Sequence, residues 1–206
     1  IKSVGAFSHD YNVPVYATER VHTGIDYNYC VQRKLLKEHK MLLEPGTTVR
    51  LGDFLVTPFS VPHDASENVG YKIEVDGTVF VIMTDAGSVT EEMKGYIAEA
   101  NYLVIEANHD VEMLQGGPYP QYLKDRILSP NGHLSNKDCG QVLAENMTER
   151  LKRVWLCHLS EENNHPELAR KTVDAILRSY GIIAGTDFTL EVLRRKIPTG
   201  PFVLHS

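Results

Sequence analysis

The sequence predicts a layered α/β fold built on a mixed β-sheet. Strand-like and helix-like segments alternate along the chain, and residues 71–75 and 78–83 are joined by Asp76-Gly77, a turn pair that tolerates positive φ and folds two strands back antiparallel. Length is the third observation: 206 residues are ample for a real core and amount to one domain, or one and a fraction, at about 150 residues per domain.

Residues 1–8 are expected to be the end of a helix and residues 13–17 (VPVYA) a short strand. Residues 26–39 read as an amphipathic helix, with Leu35 and Leu36 apolar and Lys34, Lys37 and Glu38 solvated. Residues 54–61 (FLVTPFSV) read as a strand in which Pro58 marks a bend or an edge. Residues 90–100 form a helix capped by Thr90, 102–105 a buried strand, and 119–128 a helix. Residues 135–147 form a helix with Ser135 at the cap and Asp138 three residues on, a capping-box-like pair. Residues 154–157 are a second buried strand, 166–180 a helix opened by Pro166 and stopped by Gly181, and 188–193 a closing strand.

Composition narrows the function classes. Hydrophobic residues at 42% and charged residues at 23% exclude wholesale disorder. No apolar run nears the ~20 residues needed to span a bilayer, and no basic region leads into a long apolar stretch at the start, so no membrane association is expected. A net charge of −6 argues against a protein coated in basic charge for non-specific nucleic-acid binding, without excluding a local basic groove. Cys30, Cys139 and Cys157 are an odd set with no CxxC pair, which argues against a disulfide framework and a Cys-type zinc site and fits a reducing cytoplasm.

The chemistry collects where apolar strands end. Residues 54–61 run into His63-Asp64, residues 78–83 into Asp85, 102–105 into Glu106, and 154–157 into His158. Sites in layered α/β folds are built at the carboxyl ends of strands, and His and Asp suit a divalent ion such as zinc, manganese or iron. Any one of these could simply be a strand-terminal polar group facing water. Several together point to a shared site, because polar ends of buried strands would more often be Asn, Ser, Gly or Lys. In Asn131-Gly132-His133-Leu134-Ser135-Asn136, the glycine allows close approach, and the helix start behind it offers free N–H groups as a phosphate seat at Ser135 and Asn136. The bland alternative is that Ser135 only caps and His133 only fills a turn. His109 reads as a loop histidine hydrogen-bonded locally, with support of the ligands from behind as the alternative. His9, His22, His39, His165 and His205 read as surface or structural. Alternation makes Cys157 and Trp155 core residues, and Arg194-Arg195-Lys196 a solvated strand end, with phosphate contact the minority reading.

Val61-Pro62-His63-Asp64, Met83-Thr84-Asp85-Ala86-Gly87 and Leu156-Cys157-His158-Leu159-Ser160 resemble the later metal-binding motifs of the metallo-β-lactamase fold hydrolases. With Glu106-Ala107-Asn108-His109-Asp110, Asn131 to Asn136 and Cys157 to Asn164, the chain resembles the YycJ/WalJ group over essentially its whole length. The resemblance implies an αββα sandwich of two mixed β-sheets flanked by helices, residues 1–206 forming a single such domain, and two divalent metal ions (zinc or manganese, with iron as a further option). It implies His63, Asp85 and His158 as ligands, with Asp85 bridging. His133 would be a catalytic, non-ligand histidine against the scissile phosphate, and Glu106 and His109 would stand behind the ligands. The activity implied is metal-dependent phosphodiester hydrolysis, as a DNA exonuclease acting from the 5′ end. DNA is the implied partner; a homo-oligomer is left open. The runners-up are an acyl or thioester hydrolase on the same fold, or a metal-free degenerate domain that binds a partner without catalysis. One departure stands out: the family's first motif, His-x-His-x-Asp-His, is absent, and the chain opens on Ile1 rather than Met. The expectation is a chain that starts just downstream of that motif, is N-terminally incomplete in strands and ligands, and binds metal partially or not at all as it stands.

Overall fold

The computed structural model describes residues 1–65 and 67–204. Its elements in chain order are α1 (Val4–Tyr11), β1 (Val15–Ala17), α2 (Glu19–Tyr27), β2 (Lys40–Leu42), β3 (Val49–Leu51), β4 (Phe54–Ser60), β5 (Val69–Val75), β6 (Thr78–Met83), α3 (Glu91–Glu99), β7 (Tyr102–Glu106), α4 (Val111–Gly116), α5 (Gln121–Ile127), α6 (Asn136–Asn146), β8 (Arg153–Cys157), α7 (Pro166–Ser179) and β9 (Thr189–Val192). Strands β3 to β9 form one seven-stranded mixed sheet in sequence order, and β1 and β2 form a two-stranded parallel sheet. The layered α/β class therefore holds, with one large sheet and one small one.

The sheet changes character at β6. Strands β3 to β6 are an antiparallel meander, and the Asp76-Gly77 turn has the positive φ at both residues that a tight hairpin requires. Strands β6 to β9 are parallel, each step bridged by helices. Alternation along the buried strands sorts their side chains. Leu103, Ile105, Val154 and Leu156 face the main core with Met93 and Ile97 of α3, Cys139 and Leu143 of α6, and Val173 and Leu177 of α7. Tyr102, Val104, Trp155 and Cys157 face the other way and pack with Phe80, Ile82 and Phe202. Helix α7 buries Ala169, Val173 and Leu177, a stripe at i, i+4 and i+8.

The helix expected over residues 26–39 is not there. Thr18 caps α2 by accepting from the Val21 amide, and the helix ends at Tyr27. The Asn28 side chain accepts from the Cys30 amide at 2.8 Å, a local turn that competes with further helix. Only Lys37–His39 makes a single 3₁₀ turn. Elsewhere the caps behave as their chemistry dictates. Thr90 accepts from Met93 N, and Ser135 Oγ accepts from Asp138 N at 3.0 Å while donating to Asp138 Oδ2 at 2.6 Å. Among the described residues no helix is long and apolar enough to cross a membrane.

Cys139 and Cys157 are buried, and burial pushes the Cys157 thiol up to about 12, helped by the Glu106 and Asp85 charges. Cys30 is half-buried. Thiol titration of the native protein at mildly alkaline pH is therefore expected to report Cys30 first, with Cys139 and Cys157 reacting only on unfolding. Simultaneous reaction of all three would contradict the packing.

Candidate metal centre

Two antiparallel steps separate β4 from β6, so β4 runs in the same direction as β6, β7 and β8. The carboxyl ends of all four share one rim of the sheet, and there His63, Asp85, Glu106 and His158 stand. Asp85 (φ 55°) and His158 (φ 56°) both lie in the left-handed region, where a non-glycine residue costs about 1–2 kcal/mol. Amide side chains hold both in place. Asn68 Nδ2, directly before β5, donates to Thr84 O at 3.0 Å and Asp85 O at 2.9 Å, and Asn108 Nδ2 donates to His158 O at 2.8 Å.

Each imidazole has one nitrogen committed. His63 Nδ1 donates to Gly132 O at 2.9 Å. A carbonyl can only accept, so a neutral His63 keeps its lone pair on Nε2, which lies 3.8 Å from Asp85 Oδ1. Gly132 is needed for this approach, because a Cβ there would meet Ile127 O at 2.2 Å. His133 Nδ1 and His158 Nδ1 donate to the same atom, Glu106 Oε1, at 2.7 and 2.8 Å. The other oxygen, Glu106 Oε2, accepts from the Ala86 amide at 2.6 Å, directly after Asp85. Burial pushes the Glu106 carboxyl up, but hydrogen bonds from His133, His158 and Ala86 and the charge of His133 outweigh it, and the group sits below its ordinary value. Reciprocally, the Glu106 hydrogen bond raises His158 against the effect of its burial.

This donor set fits a divalent ion. His63, Asp85 and His133 offer ligand atoms within 4.8 Å of one another. The 3.8 Å gap from Asp85 Oδ1 to His63 Nε2 is too long for a hydrogen bond and leaves room for an ion bonded at about 2.0–2.2 Å, whereas His133 Nδ1, 4.0 Å from Asp85 Oδ1, is already committed to Glu106. Glu106, His133 and His158 form a second such group, but direct contacts of 2.7 and 2.8 Å make Glu106 the orienting carboxylate behind the imidazoles. The Nε2 atoms of His133 and His158 have no hydrogen-bond partner among the described residues, and both rings line a cavity of about 690 Å³ together with His63.

Ser135 and Asn136, expected to seat a phosphate, are engaged within the protein. Both are buried, the Asn136 amide donates to His109 O at 2.9 Å, and the Asn136 side chain is paired with Asn164. Capping occupies the Ser135 hydroxyl, and loop closure occupies the Asn136 amide and side chain. His109 is also differently placed. It is buried, it bridges Ser135 through its backbone, and neither ring nitrogen has a hydrogen-bond partner among the described residues, so it does not support the ligands through its ring. His22 and His39 are structural, bonded to Met41 O and to Ser8, and His165 caps α7; His205 lies outside the described residues. Sequence reading missed the amides. Asn164 Nδ2 donates to Ala107 O, Asn108 O and Asn136 Oδ1, tying three loops around the rim. It also missed Arg126, whose guanidinium grips Asp64 beside His63 through Nε and Nη2. The Asn163-Asn164 pair was the one visible sign of the loop network.

A family model described as "Beta-lactamase superfamily domain" matches residues 2–159. Exodeoxyribonuclease YycJ of Bacillus anthracis is 37% identical over 97% of this chain and 74% of its own length. Exodeoxyribonuclease WalJ of Streptococcus pneumoniae is 38% identical over 91% of this chain and 70% of its own. The chain belongs to the beta-lactamase superfamily, in its YycJ/WalJ group. Solved structures of this superfamily's fold agree. The metallo-beta-lactamase fold protein YhfI from Bacillus subtilis superposes with a TM-score of 0.60 at 15% identity, covering 88% of this chain and 62% of its own. Zn(2+)-bound PqqB from Methylobacterium extorquens gives 0.59 at 18% identity, covering 86% and 62%. The chain thus spans less than two thirds of both these structures. Superfamily membership implies divalent metal ions and, with the names of the curated relatives, supports a metal-dependent hydrolase.

Proposed function

We propose that this chain carries the site of a metal-dependent phosphodiesterase, an exonuclease that degrades DNA from the 5′ end. The observation that carries this reading is the shared Glu106: it commits the Nδ1 atoms of His133 and His158, as Gly132 O commits that of His63, so each ring has only Nε2 left to offer, and all three residues line one cavity. The exodeoxyribonuclease names of the relatives support DNA as substrate.

In this reading His63, Asp85 and His158 would hold the ions, the histidines through Nε2. Zinc, manganese and iron all suit such donors. When bound, two divalent ions supply activation of water at neutral pH and stabilisation of charge on the phosphoryl oxygens. The chain's own residues do the rest. Glu106 fixes the tautomer and tilt of two rings, and Asn68 and Asn108 hold Asp85 and His158 in their left-handed conformations. His133 would stay outside the ligand set. With Nδ1 donating to Glu106, it carries a second proton on Nε2 as the imidazolium, and in that form it would stabilise the phosphoryl oxygens or pass the Nε2 proton to the leaving oxygen and become neutral.

A substrate panel tests this. The complete metal-loaded protein is expected to hydrolyse bis-p-nitrophenyl phosphate and to release mononucleotides from the 5′ end of labelled duplex DNA. It should leave acyl-glutathione intact and lose all activity with chelator. Turnover of the thioester in place of the phosphodiesters would make it an acyl hydrolase, and activity indifferent to chelator would remove the metal from the mechanism.

A further inference from the structure

The cavity over the three imidazoles has two unlike ends. At the His63 end stands the α5 segment: Arg126 grips Asp64, the neighbour of His63, and half-buried Tyr119, Leu123 and Ile127 line the space. At the His158 end stands the segment after β9. Leu193 N donates to Leu156 O, and Arg195 Nη2 pairs with Glu161 Oε2 at 2.9 Å.

In a chain of net charge −6, three consecutive cations here are a local exception. One carboxylate, Glu161, answers both Arg195 and Lys196, and Arg194 makes no ion pair among the described residues. The lip keeps a positive excess even with Glu162 beside it. An aromatic and aliphatic wall, an imidazole floor and a guanidinium lip are what the end of a nucleic-acid strand requires. A base has a flat face to lay on Tyr119 and its aliphatic neighbours, and the phosphates that follow it need cations. A thioester needs no such lip.

We propose that this cavity seats the terminal nucleotide of one DNA strand, its base against Tyr119, Leu123 and Ile127, with Arg194 and Arg195 gripping the phosphates that follow. The inference rests on the exonuclease reading and names its substrate path. It also gives the 194–196 segment a function in place of a merely solvated strand end.

Fluorescence anisotropy tests it, using the complete metal-loaded protein and a short single strand with phosphorothioate linkages that resist cleavage. Arg194→Glu is expected to weaken binding about tenfold and to flatten the log–log salt dependence by about 0.7, one single-strand phosphate contact. Tyr119→Ala is expected to weaken binding about tenfold with the salt slope unchanged, as loss of stacking requires. Arg178→Glu, on the exposed face of α7, makes the same change in net charge and is expected to bind as the unmodified protein does. Equal weakening by Arg178→Glu would reduce the effect to diffuse electrostatics and overturn the proposal. So would wild-type binding by both cavity variants. Binding is read without turnover. A protein that binds the strand through these residues yet never cleaves DNA would therefore sink the exonuclease reading and leave this one standing.

Discussion

Replacing His133 by alanine in the complete protein is expected to abolish phosphodiester cleavage, by about 10²–10⁴-fold, while metal content stays near that of the unmodified protein. The geometry makes this a sharp test, because His133 is placed for either of two jobs. Its Nδ1 is 2.7 Å from Glu106 Oε1, as His158's is 2.8 Å, and its ring centroid lies 4.9 Å from that of His63 and 5.4 Å from that of His158. By contacts alone the two imidazoles are near twins. What separates them is backbone origin: His158 stands directly after β8 in the left-handed region, whereas His133 arrives on the loop between α5 and α6. A ligand is best fixed by a strand end, and a proton donor to substrate is better carried on a separate loop facing the cavity. Metal analysis of His133→Ala alongside turnover of bis-p-nitrophenyl phosphate decides between them. An emptied site would make His133 a ligand and return the proton transfer to another group.

The site was legible in the primary structure to the extent that one physical rule made it so. Apolar runs that end in His, Asp or Glu point to a common rim only if the strands run the same way, and the meander from β4 to β6 brings β4 back into line with the parallel strands. That is why residues as far apart in the chain as His63 and His158 come together. The phosphate seat expected at Ser135 and Asn136 depends on partners that sequence could not show. The free N–H groups of a helix start are available only if nothing else claims them, and here the His109 carbonyl takes that of Asn136 and the Ser135 hydroxyl that of Asp138. The helix over residues 26–39 failed because the apolar spacing of Leu35 and Leu36 was read without the side-chain turn at Asn28, which ends α2 first. Glu106 was visible as a strand-end acid, but its place at the centre of the hydrogen bonding was not. Pairing of Glu106 with Cys157 in register sets it between the loops of β6 and β8, and register is a property of the folded sheet.

Glu106→Gln tests that central place, and the expected loss follows from donors and acceptors alone. The carboxylate accepts three hydrogen bonds in a buried site: two from imidazoles at Oε1 and one from the Ala86 amide at Oε2. Glutamine has the shape but only one accepting oxygen. If that oxygen faces His133 and His158, its NH₂ meets the Ala86 N–H donor to donor; turned the other way, the NH₂ meets two imidazole N–H groups. Either orientation leaves buried donors unpaired, at about 1–3 kcal/mol, and withdraws the negative charge that raises His158. Metal affinity or turnover is expected to fall about 10–100-fold, with a lower thermal midpoint. Combined with His133→Ala, the substitution should cost less than the sum of the two, because one of its partners is already gone. Unchanged metal content, turnover and melting in Glu106→Gln would show that the imidazoles find their orientation without it. Strict additivity in the double variant would show that Glu106 acts on His158 and Ala86 alone.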